Sequence, residues 1–197
     1  QDLIPDALKE ISKKYAHKTK ILQQLCYLEG YEMELYMHDM RLTQEFARKN
    51  REIIADKILK FLNVNQFDSF ETIHNFIDEF NIVRKGSVPA YKGQKIIIPM
   101  NMRDGSLICI GLGNEEWNCS APHGAGRIMS RSKAKETLSL DKFKKNMQGI
   151  FTTTATLSTI DESPDAYKPM AEIIEAIKPT CEIIKIIKPV YNFKSSE

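Results

Sequence analysis

The 197 residues are 42% hydrophobic and 27% charged, with 9 Gly and 8 Pro, which excludes a disordered tail, a collagen and a disulfide scaffold. Lys and Arg number 28 against 26 Asp and Glu, a formal charge of +2. That is too balanced for a general nucleic-acid binder but leaves room for a local phosphate site built from a few placed cations.

Residues 3–63 read as helix. Pro5 and Asp6 suit a first turn, and Leu8, Ile11 and Tyr15 follow at helical spacing. Gly30 opens a second segment in which Met33, Met37, Met40, Ala47, Ile54, Ile58 and Phe61 recur every three, four or seven residues. Asp39, Glu45, Arg48 and Lys49 take the other face, and Asn63 and Asn65 end the run. No strict heptad is sustained, so the stripe is expected to pack on a core rather than form a coiled coil. Residues 70–80 keep a helical apolar spacing. Beyond them, short β-branched runs at 81–84, 95–98 and 106–110 alternate with Gly86, Gly93, Gly105, Gly111 and Gly113, the pattern of a small, mostly antiparallel sheet. Residues 126–138 read as a helix with a basic exposed side, and 150–154 as a strand. Ser163-Pro164-Asp165 supplies an N-cap, a first-position Pro and a first-turn acid for a helix whose buried face is Met170, Ile173, Ile174 and Ile177, stopped by Pro179. Residues 181–188 read as a last strand. The class is therefore α+β: long N-terminal helices packed on a mostly antiparallel sheet, in a single domain over 1–197 with a helical part to 64 and a mixed part from 70.

No run of 18 apolar residues could span a bilayer, residues 1–5 do not resemble a signal peptide, and the first residue is Gln, so the chain is expected to start in mid-protein. Cys26, Cys109, Cys119 and Cys181 show no CxxC spacing, which reads as reduced thiols in the cytoplasm.

The most informative segment is Ala121-Pro122-His123-Gly124-Ala125-Gly126-Arg127-Ile128-Met129-Ser130-Arg131. Glycines let backbone N–H groups approach an anion, a helix opening favours negative charge, and Arg127 and Arg131 share a helical face. The imidazole of His123 beside such a cradle serves as base, metal ligand or nucleophile; the plain alternative is a Gly-rich loop entering a surface helix. His74, followed by Asn75, reads either as a metal ligand or as a satisfied histidine. His17 and His38 lie in charged helical sequence and read as solvated. The stretch from Asp161 through Glu162 to Lys168 reads chiefly as a helix cap in which Tyr167 can offer a ring face to a base; Lys194 by itself reads as a tail lysine.

In order along the chain, Phe46-Ala47-Arg48-Lys49-Asn50-Arg51, His74-Asn75, Arg84-Lys85-Gly86-Ser87, Gly93-Gln94 through Pro99, Gly111-Leu112-Gly113-Asn114-Glu115-Glu116, the His123 loop, Asp161 to Lys168 and Lys188-Pro189-Val190 resemble the RtcB-type RNA-splicing ligases. The resemblance implies an enzyme that uses GTP and manganese to join RNA 2′,3′-cyclic phosphate or 3′-phosphate ends to 5′-hydroxyl ends, in tRNA splicing or RNA repair. It implies that His123 attacks the GTP α-phosphorus to form a guanylyl-histidine, that His74 binds metal, and that Gly124, Ala125, Gly126 and Arg127 line the nucleotide. Ser106, Tyr167 and Lys194 match guanine-contacting positions, and Lys85 and Arg131 match cations that hold RNA phosphate.

Two departures qualify what the resemblance implies. Met100-Asn101-Met102-Arg103 stands where the family usually has Gly-Ser-Met-Gly, and Pro122 precedes the histidine. The family's N-terminal Asp-x-x-Cys and Gly-Asn-His segments are not found, so the chain is expected to be the C-terminal part of such a ligase, inactive by itself and partnered by the missing N-terminal half. The alternative is a non-catalytic module that binds phosphate or RNA ends on the same scaffold.

Overall fold

The computed structural model describes residues 27–65 and 68–194. They fall into two compact units that divide between residues 66 and 67. The expected helical segment around Leu8, Ile11 and Tyr15, together with His17 and Cys26, lies outside the described residues.

In the first unit, helix α1 (Gly30–Leu62) runs for 33 residues, about 50 Å at 1.5 Å per residue. Gly30 opens it with φ +59°. Asn63 closes it in the left-handed conformation, with the Val64 N–H reaching back to the Leu59 carbonyl, the usual way to satisfy end carbonyls. Ion pairs three and four residues apart run along one side: Arg48 to Glu45 at 2.6 Å and to Glu52 at 3.6 Å, and Lys49 to Glu52 at 3.0 Å. The helix and its end are as expected, but the apolar stripe is not buried. No residue of α1 is buried, and Met33, Ile54, Ile58 and Phe61 are all exposed.

The second unit mixes strands and short helices. Strands β1 (Phe76–Ile77) and β2 (Val83–Arg84) form one antiparallel pair; β3 (Ser87–Pro89) joins β6 (Ser120–Pro122) in another. The main sheet is antiparallel, in the order β4 (Lys95–Pro99), β5 (Ser106–Gly111), β8 (Cys181–Ile187). Alternation of Ile96, Ile98, Leu107 and Cys109 sends one face into the core, where Ile173 and Ile177 of helix α4 (Met170–Ile177) cover it. A second cluster gathers Met102, Phe143, Met147 and Ile160 around helices α2 (Arg131–Thr137) and α3 (Leu140–Asn146). Strands β7 (Phe151–Thr152) and β9 (Tyr191–Asn192) pair in parallel. The mixed helix and strand content agrees with an α+β class.

Three local expectations are corrected. Residues 70–80 are not helical; they run irregularly into β1, because their apolar side chains serve a strand pair rather than one helical face. The helix expected over 126–138 starts only at Arg131, capped by the Ser130 hydroxyl, which accepts from the Lys133 N–H. The preceding loop is held open because the Ile128 and Lys168 N–H groups pair with the Ala166 and Gly126 carbonyls, so the backbone bonds to another segment instead of to itself. Ser163-Pro164 opens only a 3-10 turn, Pro164–Ala166, and the helix begins at Met170.

Candidate active site

His123 emerges directly from β6, and two backbone strands converge on it. Its Nδ1 lies 2.6 Å from the Gly86 carbonyl oxygen. A carbonyl only accepts, so Nδ1 carries the proton and Nε2 keeps the lone pair. The His123 N–H donates to the same carbonyl at 3.3 Å. Gly86 presents that oxygen from a left-handed backbone at φ +71°, a conformation that favours glycine. Its own N–H donates to the Asn75 Oδ1 at 3.0 Å. The ring of His74 stacks on that of His123, centroids 5.2 Å apart and 16° from parallel. His74-Asn75 thus supports the nucleophile candidate twice, by stacking and through Gly86.

A buried polar hub holds both strands. The Arg84 side chain is 1% exposed and pairs with Asp78. Its Nε donates to Ser120 Oγ at 3.1 Å, and Nη2 donates to Tyr91 Oη at 3.2 Å and to the Asn118 carbonyl at 3.3 Å. Tyr91 in turn donates to Asp78 at 2.6 Å, while the other Asp78 oxygen accepts the Phe80 and Ile82 N–H groups at 2.9 Å each. Burial pulls the Asp78 carboxyl up, but Tyr91, Arg84 and the Ile82 N–H outweigh it and bring its pKa to about 2. Arg84 lies two residues before Gly86, and Ser120 three before His123. The hub therefore ties together the two chain segments that must meet for the Gly86–His123 bond.

His123 opens onto a cleft of about 710 Å³. Pro99, Met100, Asn101 and Met102 form one wall and residues 123–127 another, with Ser106, Arg131, Glu162, Tyr167, Lys188, Asn192 and Lys194 around them. Gly124 is pressed against the first wall, where a Cβ would stand 3.2 Å from the Pro99 carbonyl oxygen; the Ala125 N–H donates to that same oxygen at 3.0 Å. Ser106 starts the central strand, paired with Pro99 on one side and Ile187 on the other.

Glu162 organises the cations. It accepts from the Tyr167 hydroxyl at 2.8 Å and lies 3.2 Å from Lys194 Nζ, 3.5 Å from Arg127 and 3.8 Å from Arg131. Arg131 also approaches Asp161 at 3.7 Å. Arg127 donates to the Asp161 carbonyl and, at 3.1 Å, to Tyr167 Oη, and its guanidinium lies 5.0 Å from the Tyr167 ring centre. Burial raises the Glu162 carboxyl, but Tyr167, Lys194 and Arg127 win and leave it below the ordinary carboxylate value. Burial and the Glu162 contact push the Tyr167 phenol up to about 12. A neutral phenol and a charged carboxylate thus coexist at the cleft floor. Arg127 and Arg131 do meet, though not on one helix face as expected: Arg127 precedes α2, and the shared partner is Glu162.

The structure brings His123, Ser106, Gly124, Ala125, Gly126, Arg127, Arg131, Tyr167 and Lys194 into this one cleft. Lys85 is exposed beside Gly86 and does not line it. His74 does not line the cleft either, and stacks on His123. Among the described residues no three His, Cys, Asp or Glu side chains gather as a metal site. The sequence reading missed Glu162 as more than a capping acid, and missed Gly86, Asn75 and the Asp78–Arg84–Tyr91 hub. No spacing rule announces them, because the contacts that matter are distant or irregular: Gly86 meets His123 and Arg84 meets Ser120 more than thirty positions on, and Glu162 meets Lys194. The departing Met100-Asn101-Met102-Arg103 stretch is a tight connection. Met100 joins the main core and Met102 the second. The Asn101 Oδ1 accepts from the Arg103 and Asp104 N–H groups at 3.0 and 2.9 Å, and Arg103 turns to Asp104 at 2.7 Å.

Comparison with known proteins identifies the family. The family model described as tRNA-splicing ligase RtcB matches residues 2–195. The chain is 34% identical over 167 residues to the RNA-splicing ligase RtcB of Escherichia coli strain K12, covering 75% of this chain and 41% of that protein. It is 29% identical over 182 residues to the tRNA-splicing ligase RtcB of Aeropyrum pernix, with 73% and 38% covered. An alignment of 210 positions to the tRNA-splicing ligase RtcB of Archaeoglobus fulgidus gives 27% identity, with 86% and 43% covered. The chain spans about two fifths of the length of these curated relatives. With the family model matched across nearly its whole length, the chain belongs to the RtcB family of tRNA-splicing ligases.

Proposed function

We propose that this chain carries the nucleophile and the guanylate pocket of a GTP- and manganese-dependent RNA ligase, its remaining part supplied by an N-terminal half. The observation that carries the reading is the 2.6 Å bond from His123 Nδ1 to the Gly86 carbonyl, at the mouth of a cleft lined by Arg127, Arg131 and Lys194. It leaves Nε2 as the nucleophilic nitrogen. In the proposed reaction Nε2 bonds to the GTP α-phosphorus as the α–β P–O bond breaks and pyrophosphate leaves. An oxygen of the RNA 3′-phosphate then takes the guanylate as the N–P bond breaks, and the 5′-hydroxyl displaces GMP from the activated 3′-phosphate. Ser106, Tyr167 and Lys194 face the guanine, the 124–127 backbone and Arg127 the phosphates, and Arg131 and Lys85 the RNA phosphate. Preorganised cations in the cleft stabilise the charge that develops on those phosphate oxygens. Manganese, when bound, neutralises phosphate charge. Among the described residues, His74 is the donor the resemblance assigns to it, and no three-donor set gathers.

The test incubates the complete ligase with manganese and GTP labelled at the α-phosphate. A histidine-linked label lost in His123→Ala supports the reading, and a label that survives that change overturns the nucleophile assignment. Substrates are RNA ends, from tRNA halves or damaged RNA. The free thiols of Cys109, Cys119 and Cys181 support a reducing, cytoplasmic setting; among the described residues no helix is long and apolar enough to cross a membrane. A second reading, a binder of phosphate or RNA ends without guanylate transfer, draws on the Met100–Asn101 wall, whose amide is engaged in its own turn. Mass spectrometry of the complete protein after GTP treatment separates the two: no histidine adduct favours the binder.

A further inference from the structure

We propose that the exposed side of α2 and α3 is a track for the phosphate backbone of single-stranded RNA leading to the cleft; the inference rests on the ligase reading for the identity of the strand. The two helices carry Arg131, Lys133, Lys135, Lys142, Lys144 and Lys145 against only Glu136 and Asp141. The whole chain has 28 cations and 26 carboxylates, so everything outside this helix pair sums to slight acidity. The balanced total hides a local concentration of positive charge, the electrostatic footprint of a phosphate-binding surface.

All six cations are exposed, and one residue of each helix is fully buried, Ala134 on α2 and Phe143 on α3. Arg131 and Lys142 have acidic neighbours, Asp161 and Glu162 for the first and Asp165 for the second. Lys133, Lys135, Lys144 and Lys145 pair with no carboxylate among the described residues. An ordinary solvated helix face would mix both signs and carry i,i+4 pairs, as α1 does. The patch is also continuous with the cleft. Arg131 lines the cleft while its side chain is 73% exposed. Both helices pack on the 3-10 turn Leu157–Glu162, which delivers Glu162 to the cleft floor. Arg131, the first residue of α2, is shared by the cleft and the patch, and the proposed strand passes from one to the other there. Four lysine contacts without base readout predict salt-sensitive, sequence-tolerant binding.

The experiment measures binding of a fluorescent single-stranded oligoribonucleotide with a 3′-phosphate to the chain, without GTP, over a range of salt. Changing Lys133, Lys135, Lys144 and Lys145 together to Gln should weaken binding alike for all sequences. It should flatten the log K against log salt slope by about 0.7 per lost contact, about 3 in all. A control with Lys57, Lys60, Lys92 and Lys185 changed to Gln removes the same charge from exposed positions elsewhere and should bind nearly as the parent does. Circular dichroism checks that both variants are folded. An unchanged slope in the first variant, an equal loss in the control, no binding by the parent, or displacement of RNA by polyglutamate as readily as by unlabelled RNA overturns the track. His123 labelling by GTP in the complete ligase is scored separately. A missing label with a flattened slope leaves the track standing and removes the ligase reading; a normal label with an unchanged slope does the reverse.

Discussion

Phe61 on α1 is 88% exposed, whereas Phe143 on α3 is fully buried. Each has an apolar neighbour at helical spacing, Ile58 for the first and Leu140 and Met147 for the second. Helical periodicity is therefore shared, and burial is not. Along α1 the stabilising features lie within the helix: i,i+3 and i,i+4 ion pairs and the Asn63 end. In the 68–194 unit two apolar clusters and one buried ion-pair hub provide them. What separates the two regions is partners distant in sequence, and only the second should respond strongly to single substitutions.

The largest effects should fall on the hub. Replacing Arg84 with Met leaves the Asp78 carboxylate buried without its cation and should cost about 3–5 kcal/mol; because Ser120 and Gly86 lose their shared anchor, the GTP label proposed for His123 should fall with it. Chemical denaturation and label incorporation read the two. Phe143→Ala should cost about the same, 3–5 kcal/mol, and Phe61→Ala within about 0.5 kcal/mol; similar losses for the two would break the comparison outright.

Next comes acid. Asp78 has a folded-state pKa of about 2 against an ordinary 3.8. Its contribution is therefore present above pH 4 and is lost as pH falls through the 4-to-2 window. The shift amounts to about 2 kcal/mol. Stability measured across that window should fall more steeply in the parent than in Asp78→Asn; parallel curves would remove the hub from the account of acid sensitivity. Tyr91→Phe withdraws one donor from the same carboxylate and should cost about 1–3 kcal/mol. The smallest effect belongs to α1, where Glu45→Gln loosens an exposed surface pair to Arg48 and should leave the denaturation midpoint nearly unchanged, since solvent screens such pairs.

Much of the local structure could be read directly. The β-branched runs became β4, β5 and β8, the Met170–Ile177 face turned inward as its spacing required, and Asn63 ended α1. Residues 126–130 misled because their glycines and basic residues look like a helix entry, while the backbone instead pairs with residues 166–168. Residues 70–80 misled because apolar spacing over so short a run fits a strand pair as well as a helix. The resemblance named nine residues that line one cleft, yet Glu162 stayed hidden inside a cap-like acidic stretch, since its partners sit at positions 127, 131, 167 and 194.

The sequence by itself determined the α+β class, the family and the identity of His123 as the residue to examine, because side-chain period and an ordered motif series are local properties. The tertiary structure decided which imidazole nitrogen keeps its lone pair, which carboxylate gathers the cations and which apolar stripe is buried. Each of those depends on groups brought together from distant parts of the chain, where hydrogen bonds and desolvation rather than periodicity set the outcome.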